Sequence, residues 1–292
     1  MADPATGTRL RVALTQWHAT IDVASNLAVA LEVVRAAAAE RPDLIVLPEN
    51  SLCLGGNAEM RARALDANGP ELEALAGVAR EARAAVILGG FKRRVDGDEL
   101  VRNSAAVLDC NGRLAALYDK IHLFDANVGG TMFAASSVER AGERPLIVEV
   151  AGAKVGVTIC YDVRFPELYR TLALAGAEVL LVPSAFTLTT GRAHWHVLLR
   201  ARAIENGAFV VASATMRDAG DAFETYGHAL VVGPWGDVMV DLGEAKRAWQ
   251  VVELDLAEVA AARRRLPVLA GVRPAASTAA PALVALGRGS AP

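Results

Sequence analysis

Asp43-Leu44-Ile45-Val46-Leu47-Pro48-Glu49 is a continuous apolar run closed by a proline and followed at once by a carboxylate. A run of that length, apolar on both faces, is the pattern of a strand inside a parallel sheet rather than at a half-wet edge. Parallel neighbours need crossover connections, and both flanks supply them. Upstream, Arg9 to Gln16 alternates around Val12 and Leu14 as a strand. Ser25 to Glu40 then carries helical spacing, with Ser25 as the expected N-cap and Pro42 beyond the stop. Downstream, Pro70 to Arg83 puts Leu72, Leu75 and Val78 on one helical face, and Ala85 to Gly89 returns as a strand. Two β-α-β units in succession place the chain in the α/β class.

Beyond them the alternation is interrupted. Asn103 to Asp109 and Arg113 to Tyr118 flank Asn111-Gly112, a strong hairpin signal, and Leu146 to Val150 and Lys154 to Ile159 flank Gly152. Helices are then expected over Phe165 to Ala175 and His194 to Asn206. Strands are expected over Val179 to Val182, Phe209 to Ala212, Leu230 to Val232, Val238 to Asp241 and Trp249 to Leu254. No composition shift marks a linker before about residue 270, so residues 1–270 read as a single domain. Residues 271–292, rich in Ala, Pro and Gly and without an acidic residue, read as a mobile tail or an interface arm.

The chain has 292 residues, 53% of them hydrophobic, which is material for a substantial core. Its 30 basic and 33 acidic residues give a formal charge of −3, so no whole-chain field drives it toward nucleic acid or an anionic membrane. Runs such as Val179 to Val182 stop far short of the roughly 18 apolar residues that a membrane span needs. Met1-Ala2-Asp3-Pro4 shows no secretory pattern. The three cysteines, Cys53, Cys110 and Cys160, cannot all pair and have no zinc-ligand spacing, which points to a reducing, cytoplasmic setting. Only four of the 30 basic residues are lysines, Lys92, Lys120, Lys154 and Lys246, so a lysine in this arginine-rich chain is a marked choice.

Three polar residues stand directly after apolar strand-like runs: Glu49, Lys120 and Cys160. Ligands of open α/β sheets gather at the carboxyl ends of strands, so these three can converge although the chain separates them. Singly, each has a plain structural explanation, since free cysteine is commonly a packed core thiol and lone charges are commonly solvated or paired. Together they suit one chemistry. A thiolate attacks a carbonyl or nitrile carbon, a carboxylate takes the thiol proton and later activates water, and an ammonium receives the oxyanion.

Leu47-Pro48-Glu49-Asn50, Tyr118-Asp119-Lys120-Ile121-His122-Leu123-Phe124-Asp125 and Gly156-Val157-Thr158-Ile159-Cys160-Tyr161-Asp162-Val163-Arg164-Phe165-Pro166-Glu167-Leu168 resemble the three active-site motifs of the nitrilase superfamily of carbon-nitrogen hydrolases. The resemblance runs from about Arg9 to Pro267. It implies a four-layer α-β-β-α sandwich with mixed sheets, a catalytic Glu49-Lys120-Cys160 triad, and homodimers or higher homo-oligomers. The activity it implies is hydrolysis of a small amide to acid and ammonia through a cysteine thioester, without cofactor or metal.

Pro183-Ser184-Ala185-Phe186, Thr189-Thr190-Gly191-Arg192-Ala193-His194-Trp195 and Tyr226-Gly227-His228 resemble the branch holding the omega-amidases and deaminated-glutathione amidases. By that resemblance Tyr161, Arg164, Phe186, Thr190 and His194 are candidate substrate-binding residues. Arg164 suits a substrate carboxylate through paired hydrogen bonds, and equally an internal salt bridge organising the turn after Cys160. One position departs from the branch: its second glutamate, in a Phe-x-Glu-Ser context, is replaced in Phe133-Ala134-Ala135-Ser136. Either a nearby acid, Glu139 or Glu143, takes that role, or activity is reduced or redirected. The rival readings are a carbamoyl-amide hydrolase or nitrilase on the same triad, and a non-catalytic binding homologue.

Overall fold

The computed structural model describes residues 9–217 and 224–273. It opens with the two expected units: β1 (Arg9–His18), α1 (Val23–Ala38), β2 (Leu44–Leu47), then α2 (Asn57–Ala62), α3 (Pro70–Ala82) and β3 (Ala85–Arg93). β2 pairs in parallel with β1 through Val12–Leu14 and with β3 through Ala85–Leu88. The chain then turns antiparallel into β4 (Arg102–Leu108) and β5 (Leu114–Asp119), as Asn111-Gly112 predicts. A small hairpin, β6 (Asp125–Val128) and β7 (Thr131–Ala134), leads into a 3-10 turn at Ala135–Ser137.

The second sheet starts with β8 (Leu146–Val150) and β9 (Ala153–Val157), followed by a 3-10 turn at Cys160–Arg164, α4 (Pro166–Leu174), β10 (Val179–Leu181), α5 (Leu188–Asn206) and β11 (Phe209–Ala212). β12 (Ala214–Arg217) and β13 (Thr225–Tyr226) return to the first sheet. β14 (Leu230–Val232) and β15 (Val238–Asp241) extend the second. β16 (Arg247–Asp255) lies antiparallel along β1, and α6 (Ala257–Arg265) follows. The sheets run β13-β12-β1-β2-β3-β4-β5, with β16 on β1, and β15-β14-β11-β10-β9-β8.

Side-chain alternation turns these sheets into layers. Leu10, Val12 and Leu14 of β1 and Leu44 and Val46 of β2 share one core with Val155, Val179 and Val210 of the second sheet. Their neighbours Ala13, Trp17, Ile45 and Leu47 face the other way, onto Val33 and Val34 of α1 and Leu72 and Leu75 of α3. Leu168 and Leu172 of α4 and Trp195 and Leu199 of α5 cover the outside of the second sheet. The result is the four-layer α-β-β-α sandwich. Burial of each such side chain contributes about 1.5–3 kcal/mol relative to exposure.

Some boundaries differ from the expectation. Helix α1 is capped by Asp22, whose side chain accepts from Ala24 N–H at 3.1 Å, while the Ser25 hydroxyl donates to Asp22 at 2.6 Å. The carboxylate accepts both, and so displaces Ser25 as the cap. Helix α5 begins at Leu188, six residues before His194, because Thr187 O accepts from Gly191 N–H at 2.7 Å and closes a first turn that Thr189-Thr190-Gly191 disguises as a loop. Arg263 of α6 donates to the carbonyls of Ala177 (2.6 Å) and Asn206 (3.2 Å), fixing that helix on the second sheet's outer layer. Of the expected tail, residues 274–292 lie outside the described residues.

Candidate active site

Glu49 leaves the end of β2 and is only 3% exposed. Asn50 follows in the left-handed region (φ +53°), its N–H bonded to Gly90 O at 2.5 Å, which turns the chain out of the sheet. A Cβ on Gly90 would run into Asn103, Ile159 and Glu49, so only glycine lets β3 pass this close to the carboxylate. Glu49 Oε1 accepts from Lys120 Nζ at 2.8 Å and from Asn103 Nδ2 at 3.0 Å, while Oε2 accepts from Ala185 N–H at 2.9 Å. Lys120 itself comes from the end of β5, its backbone N–H fixed on Asn103 O at 2.8 Å.

Cys160 sits where the extended chain beyond β9 breaks into a 3-10 turn, with φ +46° and its N–H on Pro183 O at 3.0 Å. A left-handed conformation costs a residue with a β-carbon about 1–2 kcal/mol, so the turn needs bracing. Buried Asp162 supplies much of it. Its Oδ2 accepts from Ile159 N–H (3.0 Å) and Tyr118 OH (2.7 Å), and its Oδ1 accepts from His122 N–H (3.0 Å) and lies 2.8 Å from His122 Nδ1. The His122 ring stacks on Phe165 at 3.6 Å. Arg202 of α5 is buried and donates to Val163 O at 2.8 Å while pairing with Glu205 at 2.6 Å.

The charges of this cluster are set by burial and by one another. Burial opposes ionisation of Glu49, yet the Lys120 and Lys92 ammoniums outweigh it and hold the carboxyl below its ordinary value. Burial likewise opposes the charge on Lys120, and Glu49, the Cys160 sulfur and Glu139 override it, keeping the ammonium well above its ordinary pKa. The Cys160 thiol is pushed up to about 12 by burial and by the Glu49 charge, against the pull of Lys120. The resting site is therefore carboxylate, ammonium and neutral thiol, with the thiol lining the same cavity as Glu49.

A second charge pair shares the same cavity. Lys92 Nζ lies 2.6 Å from Glu139 Oε1, and the two side chains are only 5% and 3% exposed. Both line the cavity with Glu49, Lys120, Ala135 and Cys160. Glu139 N–H bonds to Ala135 O at 2.8 Å, so its side chain emerges one turn beyond the position of the missing glutamate. Its Oε2 is buried and, among the described residues, has no hydrogen-bond partner. Glu143 does not come here; it is exposed, in a surface depression with Arg102 and Arg144. Lysine rarity had marked Lys92, but nothing in the sequence tied it to this cavity.

A narrower cavity opens beside Cys160, lined by Phe124, Tyr161, Arg164, Phe186, Thr187 and Thr190. The Arg164 guanidinium lies 5.1 Å from the Phe186 ring centroid and 5.8 Å from that of Tyr161. Among the described residues it has no carboxylate partner, which removes the internal salt bridge as the reason for this arginine. Its Nη1 lies 3.2 Å from His194 Nδ1. His194 stands on the exposed face of α5 behind Arg164, not among the cavity residues. Asn103, Asp162 and Lys92 are the residues that sequence reasoning did not assign a place here, whereas Glu139 was one of its two candidate acids.

A protonated thiol beside a buried base, with an ammonium ready for negative charge, is equipped for acyl transfer through sulfur, and the class this defines is a thiol hydrolase on an α-β-β-α sandwich. The sequence profile described as carbon-nitrogen hydrolase matches residues 11–264. The chain is 34% identical over 267 residues to a deaminated glutathione amidase of Dictyostelium discoideum, covering 88% of this chain and 92% of that one. It is 35% identical over 267 residues to a chloroplastic omega-amidase of Arabidopsis thaliana, covering 89% and 72%. The C. elegans NitFhit crystal structure superposes with a TM-score of 0.85 at 34% identity, over 92% of this chain and 66% of that one. The chain belongs to the carbon-nitrogen hydrolase family, in the nitrilase superfamily.

Proposed function

We propose that this protein hydrolyses the terminal amide of a small carboxylate-bearing substrate, an omega-amide, to the acid and ammonia, with Glu49, Lys120 and Cys160 as its catalytic residues. The observation that carries the reading is Arg164: a guanidinium between two aromatic rings, without a carboxylate partner among the described residues, in a cavity that also contains the nucleophile. In the first half-reaction the Cys160 proton passes to Glu49 as sulfur bonds to the amide carbon. Lys120 and the Tyr161 N–H, at the start of the 3-10 turn where helix geometry gives an N–H no acceptor of its own, receive the oxyanion. Ammonia leaves with the proton from Glu49, giving a thioester. Glu49 then takes a proton from water, the hydroxide adds, the C–S bond breaks, and the sulfur recovers its proton. Glu139, held by Lys92, acts on the Lys120 ammonium in the role that Ala135 cannot fill.

The test is a screen of ammonia release over omega-amides of keto-dicarboxylates, deaminated glutathione, carbamoyl amino acids and nitriles. Amides with a free carboxylate should be preferred over equal-length amides without one. Arg164→Met should lower kcat/KM for the first class by about 10- to 100-fold, the range of a charge-assisted hydrogen-bonded contact, and leave the second nearly unchanged. Equal losses on both classes would refute the assignment, and carbon dioxide release or nitrile consumption would favour the sibling activities.

We further propose a homodimer or higher homo-oligomer. Val197 and Ile204 of α5, Trp235 and Leu266 are 68%, 43%, 52% and 49% exposed, an outward apolar group that a second copy would cover. Light scattering at micromolar concentration should give at least twice the chain mass, and a monomer mass would contradict the proposal. A cytoplasmic location remains our expectation from the three free cysteines. Among the described residues no helix is long and apolar enough to cross a membrane.

A further inference from the structure

His194 and His196, two residues apart on α5, face different directions and cannot share a ligand. The fold gives His196 other company. Its Nε2 lies 2.8 Å from Asp241 Oδ2 at the end of β15, and His228 Nδ1 lies 3.0 and 3.1 Å from the two oxygens of the same carboxylate. One donor atom from each of the three residues falls within 4.8 Å of the other two. The cluster is drawn from a helix, a loop and a strand, so no sequence spacing announces it.

Its surroundings hold it in place. The Tyr226 ring stacks on His228 at 4.2 Å and meets His196 edge-on at 5.9 Å. Trp195 Nε1 donates to His228 O at 2.8 Å, fixing the backbone where His228 has φ +52°. Gly243 N–H donates to Asp241 Oδ1 at 2.8 Å, orienting the carboxylate as an outer-shell partner orients a metal ligand. Non-glycine residues in the left-handed region carry a free-energy cost and concentrate at constrained functional positions.

We propose that His196, His228 and Asp241 form a binding site for a first-row divalent cation, zinc being the best match, which ties α5 to the β14–β15 edge of the second sheet. Two imidazoles and one carboxylate suit zinc, whereas magnesium and calcium favour sets made of oxygen. Three protein ligands leave a fourth position for water, and the partial exposure of the cluster gives solvent access to it. Binding replaces the hydrogen bonds to Asp241: each neutral imidazole presents a lone pair inward and carries its proton on the other nitrogen. None of the three residues is among those lining the two cavities around Cys160, so the ion would brace the fold rather than enter the reaction.

Cobalt(II) is the probe, added to chelator-treated protein carrying Cys160→Ala and Cys110→Ser so that neither thiol competes. One equivalent should bind with visible d–d bands, zinc should displace it, and zinc should raise Tm. His196→Gln should weaken binding by more than the roughly 10- to 100-fold that loss of an outer-shell partner costs, and Asp241→Asn should do the same. His194→Gln, on the same helix, should leave it intact. His196 is a third exposed on its side chain, so its replacement reads the site without testing the core. No binding at millimolar cobalt, or a His196→Gln protein that binds as tightly as its parent, would overturn the site.

Discussion

Cys160→Ala is expected to abolish ammonia release while leaving the protein folded, because the sulfur supplies the covalent step and the turn that carries it is held by Asp162, not by the thiol. Cys160→Ser should be nearly as inactive. Glu49 is held below the ordinary carboxyl range, which makes it a weak base, and a hydroxyl is a far weaker acid than even a thiol raised to about 12. The same two shifts fix the pH behaviour. Glu49 remains ionised until pH falls through its lowered pKa, so the acid limb should lie below the usual carboxylate range. On the alkaline side no thiolate accumulates through the ordinary cysteine range near pH 8.5. Alkylation of Cys160 by iodoacetamide should therefore be nearly flat between about pH 6 and 9, and should collapse in Glu49→Gln, where the base is gone. Ammonia release by Cys160→Ala within about tenfold of the parent would sink the mechanism.

What the sequence made legible follows from where each signal lies. The β-α-β units were readable because β2 is apolar at every position and its crossover helices keep a clear stripe, as with Leu72, Leu75 and Val78 in α3. The stacking of two sheets into four layers was not in the periodicity, which shows that a strand has two apolar faces and not what covers each; the resemblance supplied it. The β6–β7 hairpin escaped notice because Asp125–Val128 and Thr131–Ala134 are too polar and exposed to alternate cleanly. Glu49, Lys120 and Cys160 stood out because each follows an apolar strand-like run. Asn103 and Lys92 lie within strands, where a polar residue has no positional mark, and only the fold brings them to Glu49 and Glu139. Choosing between Glu139 and Glu143 required the turn geometry: Glu139 is hydrogen-bonded back to Ala135, while Glu143 lies beyond Gly142 on the surface.

Glu139→Gln should be the most damaging change outside the triad, and combining it with changes at Lys92 separates two reasons for the damage. Removing one partner of a buried ion pair leaves a charge uncompensated, at a typical cost of about 3–5 kcal/mol, so Tm should fall and activity with it. Replacing both partners, as Lys92→Met with Glu139→Leu, removes the stranded charge and should return most of the stability, since apolar pairs of similar volume often substitute for buried ion pairs. If the pair were merely structural, activity would return together with stability. If the Glu139 carboxylate keeps the Lys120 ammonium charged and oriented, the double variant should be folded yet impaired by about 10- to 100-fold in kcat/KM, within reach of what a displaced oxyanion donor costs. Ala135→Glu then supplies the decisive contrast. In the parent it sets a second carboxylate beside Glu139, and their repulsion raises one carboxyl pKa and depresses activity near neutral pH. In the double variant the same substitution puts an acid back over Lys120 with Glu139 no longer there to repel it, and kcat/KM should recover. Full activity in Glu139→Gln, together with no loss in Ala135→Glu, would remove Glu139 from the reaction and leave Lys120 oriented by Glu49 alone.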